Sequence, residues 1–435
     1  FPIESFAHFD IAYRILNGDV PFQDYWLVSG LFIDYIQAIF FKIFGQNFQV
    51  YALQASLWNS SLAIFTFYIL KDFKLSNYES FFYSVCFAIL AYTTSGTLYV
   101  DHHASLICLL AVYILISIIK YESKSLLFLL PIICGLAFLT KSAPTVYIIF
   151  SISFVIVFYI LAKKKFSWFL NLIGGTLVFT LFTFSFFYFA NIKFMDFFNQ
   201  YVLFPSSIGK DRINELNFLS SGIIFDFKFI YMAFLPILFF NLRNIFVLKQ
   251  NILNKDFFYF LALLLLILSL IIHQINTRNQ EFIFFLIPVI SAFAVVFINQ
   301  SEIKFKKYLS IFFILFCLFV TIKYHLRFNE DRRFHEMSNI DFSLSINARE
   351  IDKKLTGLRW ITPIFPEEPE KEIRIIKDTI SFLNQENQNK MVLTNYSFLS
   401  VVLDQNLNSP SRWFIPNGAA YPIKNNKYYD DYKNF

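Results

Sequence analysis

Apolar residues gather along the chain into ten runs, near positions 50–70, 80–92, 104–119, 126–139, 145–162, 168–190, 219–242, 257–273, 282–298 and 308–322. Crossing the hydrocarbon of a bilayer takes roughly 20 apolar residues in a helix, so runs of this length with few charges predict membrane-spanning helices. Ahead of the first run, WLVSGLFIDYIQAIFFKIFGQN is broken by Asp34, Gln37 and Lys42. That mixture predicts an amphipathic helix lying at the membrane surface. The segment NIKFMDFFNQYVLFPSSIGKDRINELNF, after Ala190, has the same mixed character.

Beyond position 322 the pattern changes. KYHLRFNEDRRFHEM is charged, which sets a boundary at 323–340, and residues 341–435 have the polarity of an ordinary soluble region. There LRWITP reads as a strand. EEPEKEIRIIKDTISFLNQEN reads as a helix, with Pro366 and Pro369 near its start and acids in the first turns. KMVLTNYSFLSVVL reads as strand or helix. The expected fold is an all-α polytopic transmembrane bundle over residues 1–322 with a small C-terminal α/β region at 341–435.

Composition strengthens the membrane reading. Hydrophobic residues make up 57% of the 435 positions and phenylalanine alone accounts for 61, against roughly 45–50% apolar usage in soluble domains. The net charge of +6 does not point to nucleic acid, because the basic residues sit in short clusters between apolar runs, as topology signals do. Lys71 and Lys74, Lys120 and Lys124, Lys163 to Lys165, Arg243 with Lys249 and Lys255, and Lys304 with Lys306 and Lys307 occupy alternate loops. These loops are expected on the cytoplasmic side. The other set, with the acids and histidines and the C-terminal region, is expected outside the plasma membrane, on the periplasmic face of the inner membrane in a Gram-negative cell. Cys86, Cys108, Cys134 and Cys317 all fall in apolar runs and read as small buried hydrophobes. The first residue is Phe and a first span upstream of it is expected.

Candidate chemistry concentrates in the outer loops. In ESFAHFDIAYRIL, a helix would put Glu4 and His8 on one face and Asp10 and Arg14 four apart on another. In the simplest case Asp10 pairs with Arg14 on the helix surface, and Glu4 is either a solvated terminal residue or a carboxylate free to move a proton. TSGTLYVDHHASL places Asp101, His102 and His103 at the mouth of a span. Adjacent helical residues point about 100° apart and cannot all serve one metal. Asp101 is then either a helix-start acid or a group facing the same outer cavity as Glu4. In GLAFLTKSAPT, Lys141 ends an apolar run and either snorkels or meets an anion. His273 and Arg278 lie in a short outer loop, where Arg278 has Glu281 three residues on. Carboxylates with cations at a membrane surface suit attack of a hydroxyl on a carbon bearing a phosphate leaving group, the carboxylate taking the proton and the cations holding the phosphate.

Taken in order, ESFAHFDIAYRILNGDVPFQDYW, YIQAIFFKIFGQNFQVYALQ, VDHHASLICLLAVYIL, CGLAFLTKSAPTVYI and NTRNQEFIFFLIP resemble the GT-C-type membrane glycosyltransferases, in particular protein O-mannosyltransferases and lipid A aminoarabinose transferases. The resemblance covers roughly residues 1 to 322. It implies that an acid of the first outer loop is the catalytic base. Counting back from Ala12 and Gly18 puts Glu4 there, with His8 where an aromatic is common. The family's usual Asp-Glu pair is Glu4-Ser5 in this chain, which leaves Glu4 and Asp10 both open as the base. By the same resemblance Asp24 matches a recurrent acid of that loop, Asp101 the acid of the second outer loop, Lys141 the lysine of a Leu-Thr-Lys stretch, and Arg278 the basic residue that meets the donor phosphate. His102, His103 and His273 are further cavity candidates. The resemblance implies a polyprenyl-phosphate sugar donor, a lipid, glycan or protein acceptor, and inversion at the anomeric carbon. It leaves a divalent metal open, since some members use one and others none. The rival from another class is a polytopic transporter or a lipid or glycan flippase.

Overall fold

The computed structural model describes residues 5–91, 97–214, 225–249, 251, 253–277, 283–330, 337, 340–385, 388–411, 413–414 and 418–435. Each of the ten apolar runs carries a helix. Two helices precede them, α1 (Ser5–Leu16) and α2 (Leu31–Phe44). The runs form α3 (Phe48–Asp72), α4 (Asn77–Ala91), α5 (Val100–Tyr121), α6 (Lys124–Thr140), α7 (Ser142–Ala162) and α8 (Trp168–Phe189). After the short α9 (Phe194–Phe197), a π-helical stretch (Phe198–Leu203) and α10 (Phe204–Asn214) come α11 (Lys228–Phe246), α12 (Lys255–Thr277), α13 (Leu286–Gln300) and α14 (Lys306–His325).

Six of these, α5, α7, α8, α11, α12 and α14 with the turn that extends it, are long and apolar enough to cross a membrane. The others among the ten are shorter or more polar, so only part of the predicted set meets the full length. Many large apolar side chains point outward, among them Leu170, Leu181, Phe182 and Phe189 of α8. A water-soluble monomer rarely exposes apolar surface on this scale. This is the architecture of a multi-pass membrane protein.

The two ends of the bundle differ in chemistry. At one end the Lys120 amine meets the Asp72 carbonyl, Lys255 donates to the Lys120 carbonyl at 2.8 Å, and Glu122 takes Lys165 together with Tyr159 at 3.1 Å. Four of the basic loops are thereby brought to a common end, as the alternation of lysines along the chain predicts. The opposite end carries α1, α2, the N-terminus of α5, the α6–α7 junction and the C-terminal region.

Residues 6–14 of α1 are all buried, polar and apolar alike. Phe6, Phe9, Ala12 and Tyr13 join Ile33, Tyr51, Leu98 and Val100 in one apolar core with Leu355, Trp360, Ile373 and Phe398 of the tail. Helix α2 buries Asp34 and Gln37 together with Leu31, Ile33, Ala38 and Phe41, and exposes Ile39, Ile43 and Phe44 beside Lys42. Exposed apolar side chains of this kind suit an apolar surrounding on the outer side of the helix.

The tail contains a two-residue antiparallel ladder, β1 (Ile346–Asn347) with β2 (Arg359–Trp360), then α15 (Pro369–Gln385), α16 (Leu399–Leu403) and α17 (Tyr429–Tyr432). The predicted LRWITP strand and acid-started helix are present, and KMVLTNYSFLSVVL becomes helical at Leu399–Leu403. Glu372 of α15 organises this region: it is buried and accepts from Trp360 Nε1 at 3.1 Å, Thr362 Oγ1 at 2.8 Å and Tyr396 Oη at 2.6 Å.

Candidate functional site

The α6–α7 junction sets the first element of the site. Proline bars its preceding residue from the right-handed helical region, and Ala143, ahead of Pro144, is extended at φ −110°, ψ 127°. Lys141 is extended as well and closes α6 by donating its N–H to the Ala137 carbonyl at 3.0 Å. The chain therefore reverses here, leaving a lysine between two spans at the end of the bundle. Its Nζ donates to Asp101 Oδ2 at 2.6 Å.

Asp101 sits in the first turn of α5, where a negative charge complements the helix dipole. Its second oxygen, Oδ1, lies 2.9 Å from His273 Nε2 on α12. His273 Nδ1 is buried and has no hydrogen-bond partner among the described residues. Asp101 and His273 are enclosed, whereas Lys141 keeps 23% of its side chain exposed. Any ligand that reaches this cluster from outside meets the lysine first.

A second buried pair lies beside it. His8 Nδ1 is 2.6 Å from Asp34 Oδ1, joining α1 to α2. Between them Gly30 takes φ +99°, and its N–H donates to the Thr140 carbonyl at 2.8 Å, next to Lys141. A Cβ on Gly30 would lie 2.5 Å from Asp34 Oδ2 and 2.8 Å from His8 Cε1. Glycine is required there by backbone and by space together. His102 and His103 are also buried at this end: His103 lies 3.1 Å from the Tyr99 carbonyl and edge-on to Trp58, and His102 edge-on to Tyr99.

Three expected members stand elsewhere. Asp10 is buried against the tail, hydrogen-bonded by Ser400 Oγ, in a small cavity lined by Arg14, Thr394, Ser397, Asn406 and Ser409. Burial pushes its carboxyl up to about 6, against the pull of Arg14 and Ser400, and Asp19 pushes in the same direction as burial. The expected Asp10–Arg14 surface pair does not form. Arg14 donates instead to Asp19 at 2.7 Å and to the carbonyls of Ser409 at 2.6 Å and Asp24 at 3.2 Å, with its guanidinium over the Tyr25 ring. The Asp24 side chain is exposed and closes a turn by accepting the Val20 N–H at 2.6 Å. Glu4 and Arg278, with Glu281, lie outside the described residues.

The structure thus brings Asp101, Lys141 and His273 together, links the His8–Asp34 pair to the residue before Lys141 through Gly30, and turns Asp10 and Asp24 away. Sequence reasoning missed Asp34 and Gly30 as site residues. The available signal was an acid within the largely apolar stretch LFIDYIQAIFFKIF, since an ionisable group set among apolar residues of a membrane protein is typically buried against a partner. Among the described residues no group of three or more His, Cys, Asp or Glu side chains is placed to hold a metal ion, and both Asp101 oxygens are already engaged. The sequence matches no protein-family model and no curated protein.

Proposed function

We propose that the chain is an integral membrane glycosyltransferase of GT-C type, transferring a sugar from a polyprenyl-phosphate donor to a lipid, glycan or protein hydroxyl at the outer leaflet of the plasma membrane. The supporting observation is the partly exposed Lys141 tethered to buried Asp101, whose other oxygen meets His273. One N–H of the ammonium is used on Asp101, and the remaining donors offer a fixed positive charge to a departing phosphate. The acceptor oxygen bonds to the anomeric carbon, the bond from that carbon to the phosphate oxygen breaks, and the hydroxyl proton passes to a carboxylate. The family resemblance leaves Glu4 and Asp10 open as the base; Asp10 faces the tail, so Glu4, four residues before His8 in the sequence, is the proposed base.

One observation favours a second reading, a proton-coupled transporter. Asp101 and His273 are ionisable, buried and within spans, as proton relays in carriers are. Membranes carrying Lys141→Ala or Asp101→Asn should lose sugar transfer from polyprenyl-phosphate donors by about 100-fold, the scale for removing one charge stabiliser. Wild-type transfer in Lys141→Ala would overturn the proposal, and substrate-driven proton uptake into proteoliposomes, abolished by Asp101→Asn, would establish the rival.

A further inference from the structure

Helix α1 carries His8 toward the Asp101 end of the site and, two residues on, Asp10 toward the tail. Four polar contacts tie this helix and the turn after it to positions 400–409. Ser400 Oγ donates to Asp10, Tyr13 Oη donates to Asp404 at 3.1 Å, Arg14 donates to the Ser409 carbonyl at 2.6 Å, and Asn406 Nδ2 donates to Asp19 at 3.0 Å. A fifth contact is backbone to backbone, Trp26 N–H to the Pro410 carbonyl at 2.9 Å. Three of the side-chain contacts lie at the exposed rim or are only part-buried, while Asp10 is enclosed with 4% exposure.

We propose that the segment 397–411 is a strap that holds α1, and with it His8, in place, and that it is tightened when Asp10 is protonated and loosened when Asp10 ionises. This concerns regulation of the site assigned above and rests on that assignment for its consequence, not for its mechanism.

The charged groups facing Asp10 come from its own helix and the following turn: Arg14, whose donors go to Asp19 and two carbonyls, and Asp19, whose charge opposes ionisation. From the tail it meets Ser400 and, around the cavity, Thr394, Ser397, Asn406 and Ser409, none of them charged. Asp404, the nearest tail acid on α1, is engaged by Tyr13. A carboxylate enclosed by hydroxyls and amides, with its local arginine committed elsewhere, is better accommodated neutral. Its carboxyl, pushed up to about 6, titrates where the free side chain is already ionised. The sign follows: the contribution of the docked strap is complete below about pH 4 and declines as pH rises through about 6.

Hydrogen–deuterium exchange of the full chain in detergent or nanodiscs tests this without an activity assay. After correction for intrinsic exchange chemistry, protection in 397–411 and in α1 should fall by about tenfold or more between pH 5 and pH 8, with Asp10→Asn abolishing the fall. Should Asp10→Asn fail to fold, Ser400→Ala serves: loss of the hydroxyl that favours the ionised form should move the midpoint to higher pH. Protection constant across this range in the wild type, a fall that persists in Asp10→Asn, or a midpoint unmoved by Ser400→Ala would each overturn the strap. Failure of sugar transfer alone would leave these outcomes unchanged and would refute only the enzymatic assignment.

Discussion

Gly30 and Gly18 form a matched pair for measuring what the His8–Asp34 contact contributes. Both take positive φ, +99° and +100°, so alanine at either carries the left-handed strain of about 1–2 kcal/mol. They differ in surroundings. A Cβ on Gly18 meets nothing within 4 Å, whereas one on Gly30 lies 2.5 Å from Asp34 Oδ2 and 2.8 Å from His8 Cε1. Those two side chains are almost fully enclosed, at 0% and 4% exposure, and cannot swing into solvent. Relief of the overlap must separate the 2.6 Å pair. Leaving a buried hydrogen-bonding group without its partner costs about 1–3 kcal/mol. Because Gly30→Ala displaces the pair without deleting it, the lower part of that range applies. Gly30→Ala should therefore destabilise by about 1–2 kcal/mol more than Gly18→Ala. Thermal unfolding of the purified protein in one detergent, followed by far-UV circular dichroism, compares the two midpoints. In an Asp34→Ala background the excess should shrink, because the pair no longer exists to be broken and only the His8 ring still crowds the new methyl. Equal midpoints for Gly30→Ala and Gly18→Ala, or an excess undiminished by Asp34→Ala, would refute the crowding argument.

Further outcomes follow from the same geometry. Glu372→Ala strands three donors, Trp360 Nε1, Thr362 Oγ1 and Tyr396 Oη, and should cost about 3 kcal/mol or more, read as increased protease sensitivity of the tail. Gly175→Ala places a Cβ 2.0 Å from the Phe128 carbonyl oxygen, backbone that cannot give way as a side chain could; an overpacking cost of about 1–3 kcal/mol in detergent unfolding is expected. Glu4→Gln should lower sugar transfer by about 100-fold or more at unchanged thermal midpoint, consistent with loss of a proton acceptor; full transfer in this variant would remove Glu4 as the base. Stability of the α1–tail contact should be greater at pH 5 than at pH 8, since Asp10 titrates near 6 when docked and lower when free; an opposite slope in denaturant midpoints would contradict it.

The helices were legible in the sequence because their signal is local. Run length and apolar content decide whether a segment can satisfy its own backbone in lipid, and every run of this kind carries a helix. Alternation of lysines also placed four basic loops at one end, where Lys120, Lys165 and Lys255 converge around Asp72 and Glu122. In the same way, the end of the apolar run in GLAFLTKSAPT marked the place of Lys141.

Partner choice was not local. Spacing of four pairs Asp10 with Arg14 on an isolated helix, where only neighbours one turn away compete. In the folded chain Arg14 has Asp19 and two carbonyls within reach, one of them 395 positions distant, and Asp10 is met by Ser400, 390 positions distant. The same holds for Asp101, whose partners lie 40 and 172 positions away. Hydrophobic pattern decides which segments are helices, and the lysine clusters indicate which ends lie together. It carries almost no information on rotation of one helix against another, and that rotation decides which polar groups meet. By itself the sequence therefore determined a polytopic helical chain with acids, histidines and a lysine at one end; only tertiary packing decided that Asp101, Lys141 and His273 form one cluster while Asp10 is turned to the tail.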